Sequence, residues 1–176
     1  VWRTGIDGGA PCRVARRSIS LGERSGGGGS TISQQLAEQL YPRRGGGKLG
    51  MIKIKMREMI VASRLEEVYD KQELLALYLN TVPFGENAYG IEVASGRFFS
   101  KSAVDLKVEE AAVLVGLLKA NTSYNPRTHS DRSRERRDLV LALMAKNGSL
   151  EKPVTDSLAA LPLTINYQRQ NNRVGS

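Results

Sequence analysis

Cysteine and histidine are nearly absent from this chain, and each scarcity removes a class of chemistry. Cys12 is the single cysteine and His129 the single histidine. No disulfide can close within the chain, and one residue of each type cannot build a Cys/His metal cage. Cysteine usage therefore leaves the compartment open. No run of about 18 apolar residues occurs, so no membrane-spanning helix is encoded, and Val1 onward lacks the apolar core of a secretory signal. An initiator methionine is also missing, which leads to the expectation of an N-terminally truncated chain. Nucleotide-binding signatures are absent too. The glycines do not follow a strand in a GxGxxG frame, and Gly47-Lys48 is followed by Leu49 where a P-loop has Ser or Thr.

What is present is positive charge. The net charge of +8 and pI near 9.8 call for an acidic partner: a phosphate-bearing ligand, an anionic membrane surface or nucleic acid. Charge alone does not choose among them. A chain of 176 residues, 40% hydrophobic, suits one domain or one domain with a tail.

The organising stretch is Gly26-Gly27-Gly28-Gly29-Ser30-Thr31-Ile32-Ser33-Gln34-Gln35. Four glycines allow positive φ and close approach to a ligand. Thr31 with Gln34 fits a capping box, and Ile32, Leu36 and Leu40 recur at helical spacing. A Gly-rich loop feeding a helix start offers unpaired N–H groups to an anion such as a phosphate. A flexible linker before a capped helix fits the same residues equally well.

Taken in order, residues 1–25 carry breakers at Gly5, Gly8, Gly9 and Pro11, with a short helix conceivable from Val14 to Ile19. Helices are expected at about 30–41, 48–69, 70–80, 90–98, 107–119, 131–147 and 149–161. Pro42 and the Arg43–Gly47 run form a basic connection. In the long second helix, Ile52, Met56, Met59, Ile60 and Ser63 form the apolar stripe. Asp70 and Glu73 make a capping box for the third. The loop 81–90 is expected to be ordered by Phe84 and Tyr89. The helix 107–119 is nearly all apolar and hence central. The next is capped by Asp131 and stopped by Gly148, with apolar Leu139, Val140, Leu143 and Met144 opposite solvated Arg132, Arg134, Arg136 and Arg137. Pro153 fits the first turn of the last helix. From Pro162 on, the composition reads as tail or linker. The fold class is all-α, with almost no strand.

One arrangement invites chemistry. Lys55 and Glu58, three apart, share a helix face, and such a carboxylate could act as a base or order a cation or water near a diphosphate. A solvated i, i+3 ion pair, worth about 0.2–0.5 kcal/mol, explains the same spacing. Asn80 is either a helix-end residue or a cleft side chain, and His129 reads as exposed.

Read together, Gly28-Gly29-Ser30-Thr31-Ile32-Ser33-Gln34-Gln35-Leu36, Lys55-x-x-Glu58, Leu77-Tyr78-Leu79-Asn80, Tyr89-Gly90-Ile91-Glu92, Phe98-Phe99, Glu110-Ala111-Ala112-x-Leu114-x-Gly116-Leu117, Tyr124-Asn125-Pro126 and Glu135-Arg136-Arg137-x-Leu139-Val140-Leu141 resemble the successive motifs of the peptidoglycan glycosyltransferases, glycosyltransferase family 51, the polymerase domain of bifunctional class A penicillin-binding proteins. The resemblance runs over about residues 24–148. It implies a lysozyme-like helical fold on the outer face of the bacterial inner membrane, with lipid II and the growing glycan strand as substrates, no nucleic acid, and a transpeptidase domain in the parent. It implies Glu58 as an essential carboxylate supporting the diphosphate region and Lys55 as a diphosphate contact. Ser30, Thr31, Gln34 and Gln35 would line the donor site, with Arg24 and Asn80 in the cleft. A divalent cation, Mg or Mn, would accompany the diphosphate. Residues 1–148 would be a partial glycosyltransferase domain and 149–176 a short helix and linker towards a further domain.

The departures from the family pattern are specific. The first motif, Glu-Asp-x-x-Phe-x-x-His-x-Gly, should end at Gly5, yet Arg3 takes the histidine's place and no glutamate precedes it. The family's catalytic base is thus missing, and weak or no turnover is expected of the chain as it stands. Glu38 stands where a lysine is usual, and Ile54 replaces an arginine. A non-catalytic lipid-diphosphate binding module is the alternative. A lysozyme-like hydrolase would need a second carboxylate across a glycan cleft.

Overall fold

A computed structural model describes residues 32–41 and 48–168. The glycine loop, the Thr31 cap, the 14–19 helix and the connection 42–47 therefore lie outside the described residues. The order is α1 (Ile32–Leu40), α2 (Lys48–Val68), α3 (Lys71–Thr81), α4 (Ile91–Phe99), a 3₁₀ turn (Ala103–Asp105), α5 (Val108–Leu117), α6 (Ser130–Lys146) and α7 (Lys152–Ala160). Among the described residues no strand forms, and Pro83 and Tyr89 share an isolated bridge. The chain divides at Leu79/Asn80 into two compact units.

In the first unit α1 packs on α2. Ser33, Leu36 and Ala37 are its buried face, the i, i+3, i+4 pattern of an amphipathic helix. On α2 the expected apolar stripe turns inward only in part, at half-buried Met59 and Ser63. Ile52, Met56 and Ile60 are 44, 59 and 58% exposed, whereas Glu58 and Ala62 are buried and Ile54, Leu65 and Glu66 half-buried. The inward face thus carries two carboxylates, and a periodicity search that scores only apolar side chains finds the opposite side. At α3 the expected capping box is present. The Asp70 carboxylate accepts from Gln72 N (2.8 Å) and Glu73 N (2.9 Å), and Glu73 returns an oxygen to Asp70 N at 2.8 Å.

The second unit opens with a tight loop. Phe84 N donates to Ala88 O, and Gly90 N to Val82 O. Phe84 is fully buried as expected, but Tyr89 is 63% exposed, so backbone bonds and Phe84, not Tyr89, order this loop. Gly90 is required: at φ +82° a Cβ there would lie 2.7 Å from the Asn80 carbonyl oxygen. Buried Phe98 and Phe99 of α4 and Ala112, Val113, Leu114 and Leu117 of α5 form the core, and α5 packs on both α4 and α6.

Two expectations for α6 fail. Its N-cap is His129, whose carbonyl accepts from Ser133 N at 2.9 Å, so Asp131 lies inside the first turn and not at the cap. Arg137 is not on a solvated face. It is 1% exposed and donates to Asp138 (2.8 Å) and to the Ala159 (3.1 Å) and Leu161 (2.9 Å) carbonyls, tying α6 to the end of α7. On the apolar side Val140 and Leu141 are buried, while Leu139 and Leu143 are exposed. Gly148 ends the helix as expected: at φ +74° it donates to Ala145 O, and Ser149 N reaches Met144 O, a Schellman pair. Pro153 occupies the first turn of α7.

Residues 162–168, linker-like in composition, run along α4. Asn166 N donates to Phe98 O (2.9 Å), Gln168 N to Arg97 O (2.8 Å) and Ser100 Oγ to Asn166 O (2.7 Å).

Candidate active site

Glu58 is the first residue to place. It is 3% exposed on α2 and ion-paired with Lys55, whose side chain is 45% exposed. A carboxylate removed from water is costly unless paired, and this pairing leaves the cation partly in solvent. The i, i+3 spacing read from the sequence is therefore a real contact, with an asymmetry in burial that spacing alone does not reveal.

The remaining first-unit residues sit on α1, which packs on α2, and on α3. Gln34 is half-buried and Gln35 exposed on α1. The Ser33 hydroxyl donates to the Glu66 carboxylate of α2, and the Tyr78 hydroxyl of α3 donates to Gln35 Oε1 at 3.0 Å. Burial raises the Tyr78 pKa further above neutrality. Glu66 and Tyr78 were not among the residues the sequence singled out. The signal for Glu66 was its place eight residues after Glu58, roughly 80° round the helix and so on the same broad face. Nothing local marked Tyr78.

Asn80, in the last turn of α3, belongs to the second unit and is exposed, its carbonyl closely approached by Gly90. Arg24, Ser30 and Thr31 lie outside the described residues. The structure thus brings Lys55 and Glu58 into contact, and packs their helix against the one bearing Gln34 and Gln35. Glu38 and Ile54, the two departures from the family pattern, are both half-buried.

Two further carboxylates, in the second unit, are held for a different purpose. Burial pushes the Glu86 pKa up. Bonds from Tyr167 (2.7 Å), Arg127 (2.8 Å) and Asn125 (2.9 Å) outweigh it and leave the carboxyl below its ordinary value. Glu110 is likewise pushed up by burial and pulled below its ordinary value by Lys101 (2.7 and 2.9 Å) and Lys107 N (2.9 Å). Fully bonded carboxylates of this kind fasten segments together. A cavity of about 210 Å³ lies beside Glu110 and Arg137, and none of the expected site residues lines it. No group of three or more His, Cys, Asp or Glu converges among the described residues.

The family described as Transglycosylase matches residues 1–145. Penicillin-binding protein 1F of Bacillus subtilis is 39% identical over 168 residues, covering 94% of this chain and 23% of that protein. Penicillin-binding protein 1A of Aquifex aeolicus is 36% identical over 169 residues, 94% of this chain and 22% of its own length. The crystal structure of penicillin-binding protein 1A from Haemophilus influenzae superposes with a TM-score of 0.53 at 26% identity, over 78% of this chain and 17% of that one. The chain spans less than a quarter of the length of these relatives. The all-helical, lysozyme-like fold expected from the motifs is the fold found. With a family match that begins at residue 1 and reaches the end of α6, the chain belongs to the transglycosylase family.

Proposed function

We propose that the chain is a peptidoglycan glycosyltransferase module, part of a class A penicillin-binding protein that polymerises lipid II into glycan strands. The observation that carries this reading is Glu58. It is a carboxylate only 3% exposed on α2 and held to Lys55, in a helix packed on the one that bears Gln34 and Gln35. In the reaction, the acceptor's sugar hydroxyl attacks the donor's anomeric carbon. A new glycosidic C–O bond forms, the bond to the diphosphate breaks, and undecaprenyl diphosphate leaves while the hydroxyl proton passes to a base. Lys55 is suited to meeting the leaving diphosphate, with Glu58 fixing its ammonium. Such a preset cation stabilises charge that develops only as the bond breaks. The glutamines supply amide donors to phosphate oxygens.

A divalent cation does not fit a cage of the described residues. Glu58 is already paired with Lys55 and no further carboxylates converge on it to make a ligand set. If one takes part, most of its ligands come from the diphosphate. The partners are lipid II, the growing strand, an anionic membrane surface and a transpeptidase domain in the parent protein, on the outer face of the inner membrane. None of the described helices is long and apolar enough to cross a membrane. Exposed Ile52, Met56 and Ile60 beside Lys53 and Arg57 on α2 favour contact with the bilayer surface instead.

The test is lipid II turnover in detergent with a divalent cation. It compares the chain, its Glu58→Gln form, and a version extended upstream with a family-type first motif. Glycan made by the extended form, and lowered about 10²-fold or more by Glu58→Gln, is the expected result. Undiminished turnover in Glu58→Gln, or release of small fragments from mature peptidoglycan, overturns the assignment. Lipid II bound but never polymerised by any form would leave the binding-module alternative in its place.

A further inference from the structure

We propose that Glu66 and Tyr78 are positioning residues for the transfer site, gripping α1 from two sides so that Gln34 and Gln35 meet the lipid diphosphate in a preset orientation. The inference rests on the glycosyltransferase reading of the same site.

The geometry is that of a helix held against rolling. Ser33, 4% exposed, donates its hydroxyl to Glu66 of α2. Two residues on, Gln35 accepts from the Tyr78 hydroxyl of α3 at 3.0 Å. Successive residues of an α-helix are about 100° apart, so these two ties leave α1 roughly 200° apart, on opposite flanks. A tie on one flank permits rotation about the helix axis; ties on both do not. Gln34 lies between them, about 100° from each, and its direction follows from the pair.

The Tyr78 contact also decides which end of the Gln35 amide is offered. A phosphate oxygen accepts and does not donate, so it needs the amide nitrogen and not the oxygen. With Tyr78 O–H directed to Oε1, the amide oxygen is committed and Nε2 is turned away from Tyr78. Fixing that choice before the ligand arrives removes an ordering cost at the moment of binding. Glu66 serves the same end through the backbone. It shares its side of α2 with Glu58 and Ala62, eight and four residues earlier, so α1 is registered on the surface where Glu58 is buried.

The experiment uses the whole chain and its Tyr78→Phe, Glu66→Ala and Glu66→Gln forms. Affinity for undecaprenyl diphosphate in detergent micelles is measured beside the side-chain amide ¹⁵N spectrum without ligand. Circular dichroism checks the fold. Tyr78→Phe and Glu66→Ala are each expected to weaken binding about threefold to tenfold, and Glu66→Gln, which keeps an acceptor for Ser33, to recover most of it. The Gln35 amide resonance is expected to move in Tyr78→Phe with no ligand present. Wild-type affinity in Tyr78→Phe and Glu66→Ala, an unmoved Gln35 amide, or Glu66→Gln as weak as Glu66→Ala each overturns the inference. If the unaltered chain does not bind the lipid diphosphate, the functional reading falls, while the amide spectrum still tests the grip of Tyr78 on Gln35.

Discussion

Among the described residues, each of the two compact units buries one charged side chain almost completely, and they do so in opposite ways. Arg137, 1% exposed in the second unit, is enclosed by Asp138 and by the Ala159 and Leu161 carbonyls, so its donors are consumed in joining α6 to the end of α7. Glu58, 3% exposed in the first, is paired with a lysine that is itself nearly half in solvent. Around Arg137 lies an aromatic and aliphatic core. The other buried described residues of the first unit are Ser33, Leu36, Ala37, Ala62 and Leu74, and α2 turns large apolar side chains outward. A charge bonded to a carboxylate and to two distant carbonyls is a fastener. A charge paired with a half-exposed lysine keeps one side of its pair in contact with solvent.

The largest effect expected from this contrast is at Arg137. Arg137→Leu leaves a carboxylate and two carbonyls without their donor and should cost about 3–5 kcal/mol in urea unfolding. A loss below about 1 kcal/mol would show that water replaces the guanidinium easily, and the fastener reading would not stand. Next comes Gly90→Ala. The φ of +82° and the 2.7 Å approach to the Asn80 carbonyl point to about 2–3 kcal/mol, visible as a lowered thermal midpoint.

A third effect belongs to the strap at 162–168. Tyr167→Phe removes one of the bonds that hold the Glu86 pKa below its ordinary value and should cost about 1 kcal/mol at neutral pH. The sign of the pH dependence follows from that depression. Glu86 and Glu110 contribute stability above the unfolded carboxylate pKa, and the contribution is lost as pH falls through the lower folded value. In Tyr167→Phe the Glu86 part should vanish at a higher pH than in the parent. An acid-unfolding midpoint identical in the two proteins would count against the network.

Much of this architecture was legible in the sequence, because it is local. The Asp70/Glu73 box, Gly148 and Pro153 act within one turn of themselves, and short-range chemistry set those helix ends where the spacing predicted them. The Lys55–Glu58 pair was legible for the same reason. What escaped was tertiary. Tyr167 meets Glu86 across 81 positions, and Tyr78 meets Gln35 across 43, with no motif linking either pair. Arg137 looked solvated because two of its acceptors, the Ala159 and Leu161 carbonyls, lie at the end of α7, beyond the helix that carries it. Asp131 looked like a cap because His129, a weaker cap former, gave no signal that the helix had already begun.

A smaller effect bears directly on the opening contrast. Glu58→Gln should alter stability by no more than about 1 kcal/mol, since the amide keeps an acceptor and Lys55 can turn to water. Calorimetry on the variant decides the matter. A cost matching that of Arg137→Leu would make Glu58 a second fastener and remove the structural basis for placing chemistry on it.

The smallest expected change is on the outer face of α2. Ile60→Gln and Met56→Gln should shift stability in buffer by less than about 0.5 kcal/mol, because both side chains are already more than half exposed and glutamine suits a helix interior. Were this stripe the core face that its periodicity suggests, each substitution would instead cost several kcal/mol, on the scale of about 2–5 for emptying a buried aliphatic site. Buffer is only half of the comparison. Exposed apolar side chains beside Lys53 and Arg57 gain their free energy from a bilayer surface, so the same two substitutions should weaken sedimentation with anionic-lipid vesicles while leaving the melt untouched. Silence in both measurements would mean that the stripe faces neither core nor lipid, and α2 would then owe its orientation to its inward face of Ile54, Glu58, Ala62, Leu65 and Glu66.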